Sequence, residues 1–201
     1  MIRVLLAEDQ DMVRGALAAL LSLELDIQIV AQVDRGNEVV RVAREHRPDV
    51  ALIDIEMPGG DGIEAAAELH RELPDCRVLI LTTFGRPGLM RRAMAAGASG
   101  FMLKDARAEE LAIAIRKTAA GERVVDPQLA ARALSEGESP LSARETEVLT
   151  ASSDGSSLFE LASRLHLSEG TVRNHISSAI QKLGARNRAD AARIATIKGW
   201  L

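Results

Sequence analysis

Five times in its first 121 residues the chain runs apolar for a short stretch and then turns amphipathic. The apolar runs fall at 2–7, 27–33, 50–53, 78–82 and 100–103. Short runs rich in Val, Ile and Leu, bounded by turn residues, read as strands buried on both faces. Between them lie segments with helical spacing. Asp11 is placed to cap a helix over 11–23, with Val13, Leu17 and Leu20 on one face. Further helices are expected over 38–46, stopped by Pro48, over 63–73, over 88–96 before Gly97, and over 109–119 before Gly121. Strands alternating with helices imply a parallel sheet covered on both sides. Right-handed crossovers then bring every strand's carboxyl end to one edge, where open α/β folds bind ligands.

The residues at those ends are polar. The first strand ends in Glu8 and Asp9, the third in Asp54, the fourth in Thr82 and Thr83, and the fifth in Lys104. Taken singly, each has an ordinary reading. Asp54 would be a turn former before Pro58-Gly59, Lys104 a solvated charge, Thr82 a strand-end hydroxyl, and Asp61 a turn residue before Gly62. Together they make a different proposition. Clustered carboxylates repel and are tolerable with a bound cation. An all-oxygen site with few protein ligands suits Mg2+, and a neighbouring lysine is a point charge for phosphate oxygens. A carboxylate nucleophile beside such a cation can form an acyl phosphate.

Composition narrows the choice. Aromatic residues make up only 2% of the chain and Tyr is absent, which leaves no stacking platform for single-stranded nucleic acid. The single Cys76 excludes an internal disulfide or a cysteine zinc cluster. No apolar run near Met1 is long enough for a signal peptide, and none reaches membrane-spanning length. A cytoplasmic location and no membrane partner are therefore expected. The net charge of −4 divides unevenly, at −6 before Ser139 and +2 from there on. A basic module behind an acidic body fits nucleic-acid binding.

Residues 122–138 lack clear periodicity and read as a linker, with a helical turn or more around 128–134, between a domain at 1–121 and one at 139–201. The second domain is helical throughout. Ser142 and Glu145 form a capping box. Ser157 caps a short helix with Leu158, Leu161, Ala162 and Leu165. A turn at 166–168 leads to a longer helix over 169–183, ended by Gly184. Asn187 caps a last helix over 189–198. The short and long helices have helix-turn-helix spacing. Thr171, Arg173, Asn174, Ser177, Ser178 and Lys182 make a polar stripe on the longer one, opposite Val172, Ile176, Ile180 and Leu183. Arg and Asn suit base edges of the major groove, and Thr, Ser, His and Lys suit phosphates. An ordinary solvated helix face is the competing reading of that stripe.

The set Glu8-Asp9, Asp54, Thr82, Phe101 and Lys104 resembles a response-regulator receiver domain. The resemblance implies a flavodoxin-like, five-stranded parallel sheet with Asp54 as phospho-acceptor. It gives Mg2+ to Glu8, Asp9, Asp54 and the backbone carbonyl of Glu56. It pairs Lys104 with the phosphoryl group, makes Thr82, beside Thr83, the hydroxyl that moves to bond that group, and makes Phe101 the ring that turns inward in response. In the second domain, Leu141-Ser142-Ala143-Arg144-Glu145, the run 167–175 and Lys182-Leu183-Gly184 resemble the four-helix LuxR-type module. Together the two halves are similar to the NarL/FixJ family. Ala7-Glu8-Asp9-Gln10, the run 54–59 and the run 81–88, which includes Phe84, resemble the DesR-type regulators, partners of membrane-fluidity sensor kinases.

The resemblance implies a transcription regulator phosphorylated by a sensor histidine kinase. It would bind double-stranded DNA as a homodimer formed on phosphorylation, with membrane-lipid genes as targets. His175 joins the stripe as a DNA contact, and helix 189–198 is expected to pair the DNA-binding modules. Met12, Ala16, Ala19 and Ile113 are candidates for a receiver interface, against the reading of scattered surface apolars. No enzyme activity is expected beyond the domain's own phosphoryl transfer and dephosphorylation. The competing function is a phosphorylation-independent DNA- or protein-binding regulator with a degenerate receiver.

Some residues depart from the pattern of receivers and LuxR-type modules. Glu8 stands where Asp is commoner, while Asp105, not the Pro of many receivers, follows Lys104, as is usual in the DesR-type regulators. Ala151-Ser152-Ser153 replaces bulky aliphatics, and Phe159 replaces a basic or polar residue. Lost core side chains at 151–153 would cost a few kcal/mol, so the helical domain is expected to be marginal or repacked around Phe159.

Overall fold

The computed structural model describes residues 1–83, 85–135, 139–152 and 155–201. Phe84 and Ser153, and the end of the expected linker at 136–138, lie outside the described residues. The chain divides into two compact units, one of Met1–Gly85 and Met90–Ala131, built on a sheet, and one of Arg86–Leu89 and Arg132–Leu201, which is helical.

In the first unit, strands β1 (Ile2–Ala7), β2 (Ile27–Val33), β3 (Val50–Asp54), β4 (Arg77–Thr82), β5 (Gly100–Leu103) and β6 (Val124–Val125) form one sheet. Their order is β2-β1-β3-β4-β5-β6, parallel throughout. The helices up to Ser135 are α1 (Asp11–Leu21), α2 (Val39–His46), α3 (Gly62–Glu72), α4 (Pro87–Ala95), α5 (Ala108–Ala119) and α6 (Pro127–Ser135), with a 3-10 turn at Gly36–Glu38. Every residue of β3 is buried, as expected for a central strand covered on both faces. Val4, Leu6, Leu52, Leu79 and Leu81 pack with Leu111, Ala112 and Ile115 of α5. The alternate positions Leu5, Ile53 and Ile80 point to the other face and are equally buried.

The structure corrects two expectations here. The sheet has six strands, not five, because Val124 and Val125 pair with Gly100 and Phe101. Two β-branched residues in a polar stretch carry no readable period, yet they suffice to extend an existing sheet edge. The segment 122–138, where a helical turn or more is expected around 128–134, holds β6 and the helix α6. Asp11 does not cap α1. The cap position is Gln10, which makes no side-chain capping bond, while Asp11 is the first helical residue and pairs with Arg14.

The second unit contains α7 (Ala143–Ala151), α8 (Leu158–Arg164), α9 (Glu169–Leu183) and α10 (Arg188–Ile197). Ser142, Ser157, Ser168 and Asn187 each cap the helix that follows with a side-chain oxygen. Val148, Leu161, Ala162, Val172 and Ile176 form one buried cluster. Leu141, Leu149, Ala179, Ala191 and Ala195 form another, with Trp200 packed against it. Phe159 is 70% exposed, so the core is not repacked around it. Ser152 is buried at the end of α7, where its hydroxyl donates to the Leu149 carbonyl at 2.8 Å. A small polar residue is tolerated there because its donor is satisfied. Among the described residues no helix is long and apolar enough to cross a membrane.

Candidate functional site

The parallel register brings the ends of β1, β3, β4 and β5 to one edge. Ala7 lies opposite Ile53, Asp54 opposite Leu81, and Thr82 opposite Leu103. Glu8, Asp54 and Thr82 are buried, and Asp9 is partly so. Glu8, Asp9 and Asp54 each bring a carboxylate oxygen within 4.8 Å of the others.

Lys104 enters this cluster from just beyond β5. Its Nζ donates to Asp54 Oδ2 at 2.9 Å and stands 2.7 Å from Glu8 Oε2. Burial works against its charge, but the hydrogen bonds with Glu8 and Asp54 outweigh that penalty and leave its pKa raised. The other oxygen of Asp54 accepts from the Ile55 backbone N–H at 2.8 Å. The Lys104 backbone N–H donates to the Thr82 carbonyl at 2.9 Å, tying β4 and β5 together behind the site. Thr83 and the Glu56 side chain are exposed. Phe101 is wholly buried. The ring expected to turn inward is already inward, with no exposed surface left to lose.

The donor set fits a hard divalent cation. Its side-chain donors are all carboxylate oxygens, and Asp9 Oδ1 is buried without a hydrogen-bond partner among the described residues. An orphaned carboxylate oxygen in a site of this charge is the group a cation would satisfy.

Two supporting residues escaped the sequence reading. Arg14 donates from Nη1 to the Glu8 carbonyl at 2.6 Å, fixing the loop that carries both acids. Its place one turn into α1 was the available signal. Gly62 opens α3 where a Cβ would stand 1.9 Å from the Asp54 carbonyl oxygen, so only glycine lets the 55–61 loop close onto the acceptor strand. Asp61, expected as a turn residue, caps α3 by accepting from Ile63 N–H at 2.8 Å.

On α9 the exposed stripe contains Gly170, Arg173, Asn174, Ser177, Gln181 and Lys182. Thr171 and His175 are partly buried, and Thr171 is engaged with the Ser168 cap. Gln181 was missed, although its spacing from Arg173, Asn174 and Ser177 places it on their face. Ser178 and Lys182 have a different setting. Ser178 Oγ donates to Glu145 Oε1 at 2.6 Å, and Lys182 Nζ to Glu145 Oε2 at 2.7 Å. Burial raises the Glu145 carboxyl, but Lys182, Ser178 and Ser142 outweigh it and hold the pKa at about 2. These two stripe residues therefore bind α9 to α7.

Met12, Ala16, Ala19 and Ile113 are all exposed, Met12 at 87%. Met12 and Ala16 border a cleft of about 360 Å3 between α1 and the start of α5, with Lys104 at its end.

Comparison with known proteins agrees with this geometry. The response regulator receiver domain model matches residues 4–116, and the model of bacterial regulatory proteins of the luxR family matches residues 139–195. The uncharacterized transcriptional regulatory protein YvfU of Bacillus subtilis (strain 168) is 46% identical over 201 residues, all of both chains. The transcriptional regulatory protein DesR of the same organism is 45% identical over 200 residues, all of this chain and 99% of that one. Among solved structures, the response regulator ChrA of a heme-sensing two-component system shares 35% identity at a TM-score of 0.59. That match covers 100% of this chain and 98% of ChrA.

Proposed function

This chain belongs to the response regulators that carry a LuxR-type DNA-binding domain, and from that premise we propose that Asp54 is its phospho-acceptor. One observation carries the reading. Asp54 ends a fully buried strand with Glu8 and Asp9 beside it and the Lys104 ammonium on its free oxygen.

The phosphoryl donor is a sensor histidine kinase carrying phosphohistidine. A lone pair on Asp54 Oδ2 forms the new O–P bond while the P–N bond breaks, and the bonding electrons leave on the imidazole nitrogen. Lys104 gives up its hydrogen bond to Asp54 and meets a phosphoryl oxygen instead, with Glu8 keeping the ammonium in position. Thr82 and Thr83, at the end of β4, supply hydroxyls to the same group. Catalysis of this kind is positioning and charge neutralisation, not acid–base work. Glu8, Asp9, Asp54 and the Glu56 carbonyl are the residues that hold Mg2+, which supplies positive charge to the phosphoryl oxygens. The protein's chemistry is limited to its own phosphorylation and dephosphorylation.

Phosphorylation favours a homodimer through the exposed apolar face of α1 and α5, and paired α9 helices read double-stranded DNA. Arg173 and Asn174, with Ser177 and Gln181, form the reading face, while Thr171 and His175 border it. Ser178 and Lys182 hold the helix in place. The alternative of a phosphorylation-independent regulator calls for an incomplete acidic pocket, whereas each pocket residue is here in reach of another. Membrane-lipid targets rest on the DesR-like motifs alone, and YvfU is similar to the same degree. Footprinting of the phosphorylated protein upstream of its own and neighbouring genes tests the whole reading. A protected site that weakens without phosphoryl donor is expected, and no protection anywhere would contradict it.

A further inference from the structure

The loop that leaves Asp54 is tied down from a part of the fold that carries no pocket residue. The 3-10 turn at Gly36–Glu38, between β2 and α2, donates the Gly36 backbone N–H to the Pro58 carbonyl at 3.1 Å. We propose that this turn is a positioning element for the metal site: by clasping the loop at Pro58 it fixes the Glu56 carbonyl, the backbone ligand for Mg2+, relative to Asp54. The inference rests on the phospho-acceptor reading and deepens it.

The loop's own sequence creates the need for a clasp. Residues 55–61 run Ile-Glu-Met-Pro-Gly-Gly-Asp, and glycine loses more conformational freedom on ordering than any other residue. Gly59 and Gly60 have φ of 80° and 154°, which residues with a Cβ rarely adopt. Both ends of the loop are anchored. Ile55 N–H donates to Asp54 Oδ1 at 2.8 Å, and the Ile55 carbonyl accepts from Gly62 N–H at 3.0 Å. At the far end Asp61 caps α3. Between these anchors the Glu56 side chain is exposed and Met57 is buried by apolar packing, which sets no direction for a carbonyl. The Gly36 bond is the one backbone–backbone hydrogen bond that 56–60 makes among the described residues.

The turn is shaped to meet the loop. A Cβ on Gly36 would collide with the Gly60 carbonyl oxygen, so turn and loop touch backbone to backbone. A Cβ on Gly59 would stand 2.8 Å from Asn37 Oδ1, which makes the Asn37 side chain a wall beside the loop's tip. A carbonyl ligand has no rotamer of its own to adjust, so its place is set by the loop alone. Partners that orient a metal's ligands from behind typically carry tenfold to a hundredfold, roughly, of the metal affinity.

The test is an amide chemical-shift titration of the unphosphorylated full-length protein with Mg2+, beside acetyl phosphate labelling across a Mg2+ series. Gly36→Ala should weaken Mg2+ binding by about tenfold. The Mg2+ needed for half-maximal labelling should rise by the same factor, with the labelling rate at saturating Mg2+ retained. Asn37→Ala should shift both in the same direction by less. Wild-type Mg2+ affinity in Gly36→Ala would overturn the proposal. Should that variant fail to fold, wild-type affinity in Asn37→Ala would overturn it. A labelling rate that saturating Mg2+ does not restore would also overturn it, because the turn would then act on Asp54 and not on the metal ligand. A wild-type protein that binds no Mg2+ and takes no phosphoryl group would instead refute the phospho-acceptor reading itself.

Discussion

Lys104 stands as close to Glu8, at 2.7 Å, as it does to Asp54, at 2.9 Å, so one ammonium answers two buried carboxylates. Removing it leaves those charges facing each other and Asp9. Lys104→Ala should destabilise the receiver by about 3 kcal/mol in metal-free urea unfolding followed by circular dichroism. Mg2+ should stabilise both proteins, by about 1.4 kcal/mol at ten times the dissociation constant, with a lower constant for the variant because no ammonium competes. The Lys104 pKa is raised, so its contribution is complete below about pH 10.5 and fades only as pH rises through the folded value. A variant as stable as wild type, or one blind to Mg2+, would contradict this picture of the pocket.

Glu145 joins α7 to α9 through Ser178 and Lys182. Its folded pKa of about 2 lies below the ordinary 4.5. A lowered carboxyl adds stability above its unfolded pKa and loses it as pH falls toward the folded one. The helical unit should therefore weaken between about pH 4.5 and 2, and Glu145→Gln should flatten part of that slope. At neutral pH the substitution should cost about 2 kcal/mol. Trp200 is the sole tryptophan and packs in this unit, so its emission during urea unfolding reads the change directly. Some slope should persist in the variant, because Arg193 and Arg186 also hold Asp190 well below its ordinary value.

His166 turns the chain between α8 and α9 at a φ of 52°, a left-handed conformation that strains a residue with a Cβ. His166→Gly should stabilise the helical unit by about 1 kcal/mol in the same Trp200 assay. A loss of stability would mean that the imidazole makes a compensating contact.

The exposed apolar face of α1 and α5 should close a dimer when Asp54 is occupied. Sedimentation with beryllofluoride should show the wild-type mass doubling, and Met12→Asp or Ile113→Asp should hold it at the monomer value. Equal masses with and without the analogue in wild type would remove the interface.

The sequence was most legible where burial imposes a pattern. The limits of β1, β2 and β5 and the span of α9 follow from apolar period and caps. The polar residues at the strand ends converge because parallel crossovers leave them nowhere else to go. What stayed hidden depends on contacts between distant segments. Val124-Val125 becomes a strand only because β5 offers a free edge. Arg14 matters through a carbonyl, and Gly62 through a backbone approach; neither contact has a sequence period. Ser178 and Lys182 belong to the polar stripe, and their bonds to Glu145 of the partner helix have no sequence period either. Phe159 looked like a core replacement, yet its side of α8 faces outward.

The most direct test is intact-mass measurement after incubation with Mg2+ and acetyl phosphate. Wild type should gain the mass of one phosphoryl group, Asp54→Asn should gain none, and chelation of the metal should suppress the gain. Phosphoryl incorporation into Asp54→Asn equal to that of wild type would contradict the assignment of Asp54 as the acceptor.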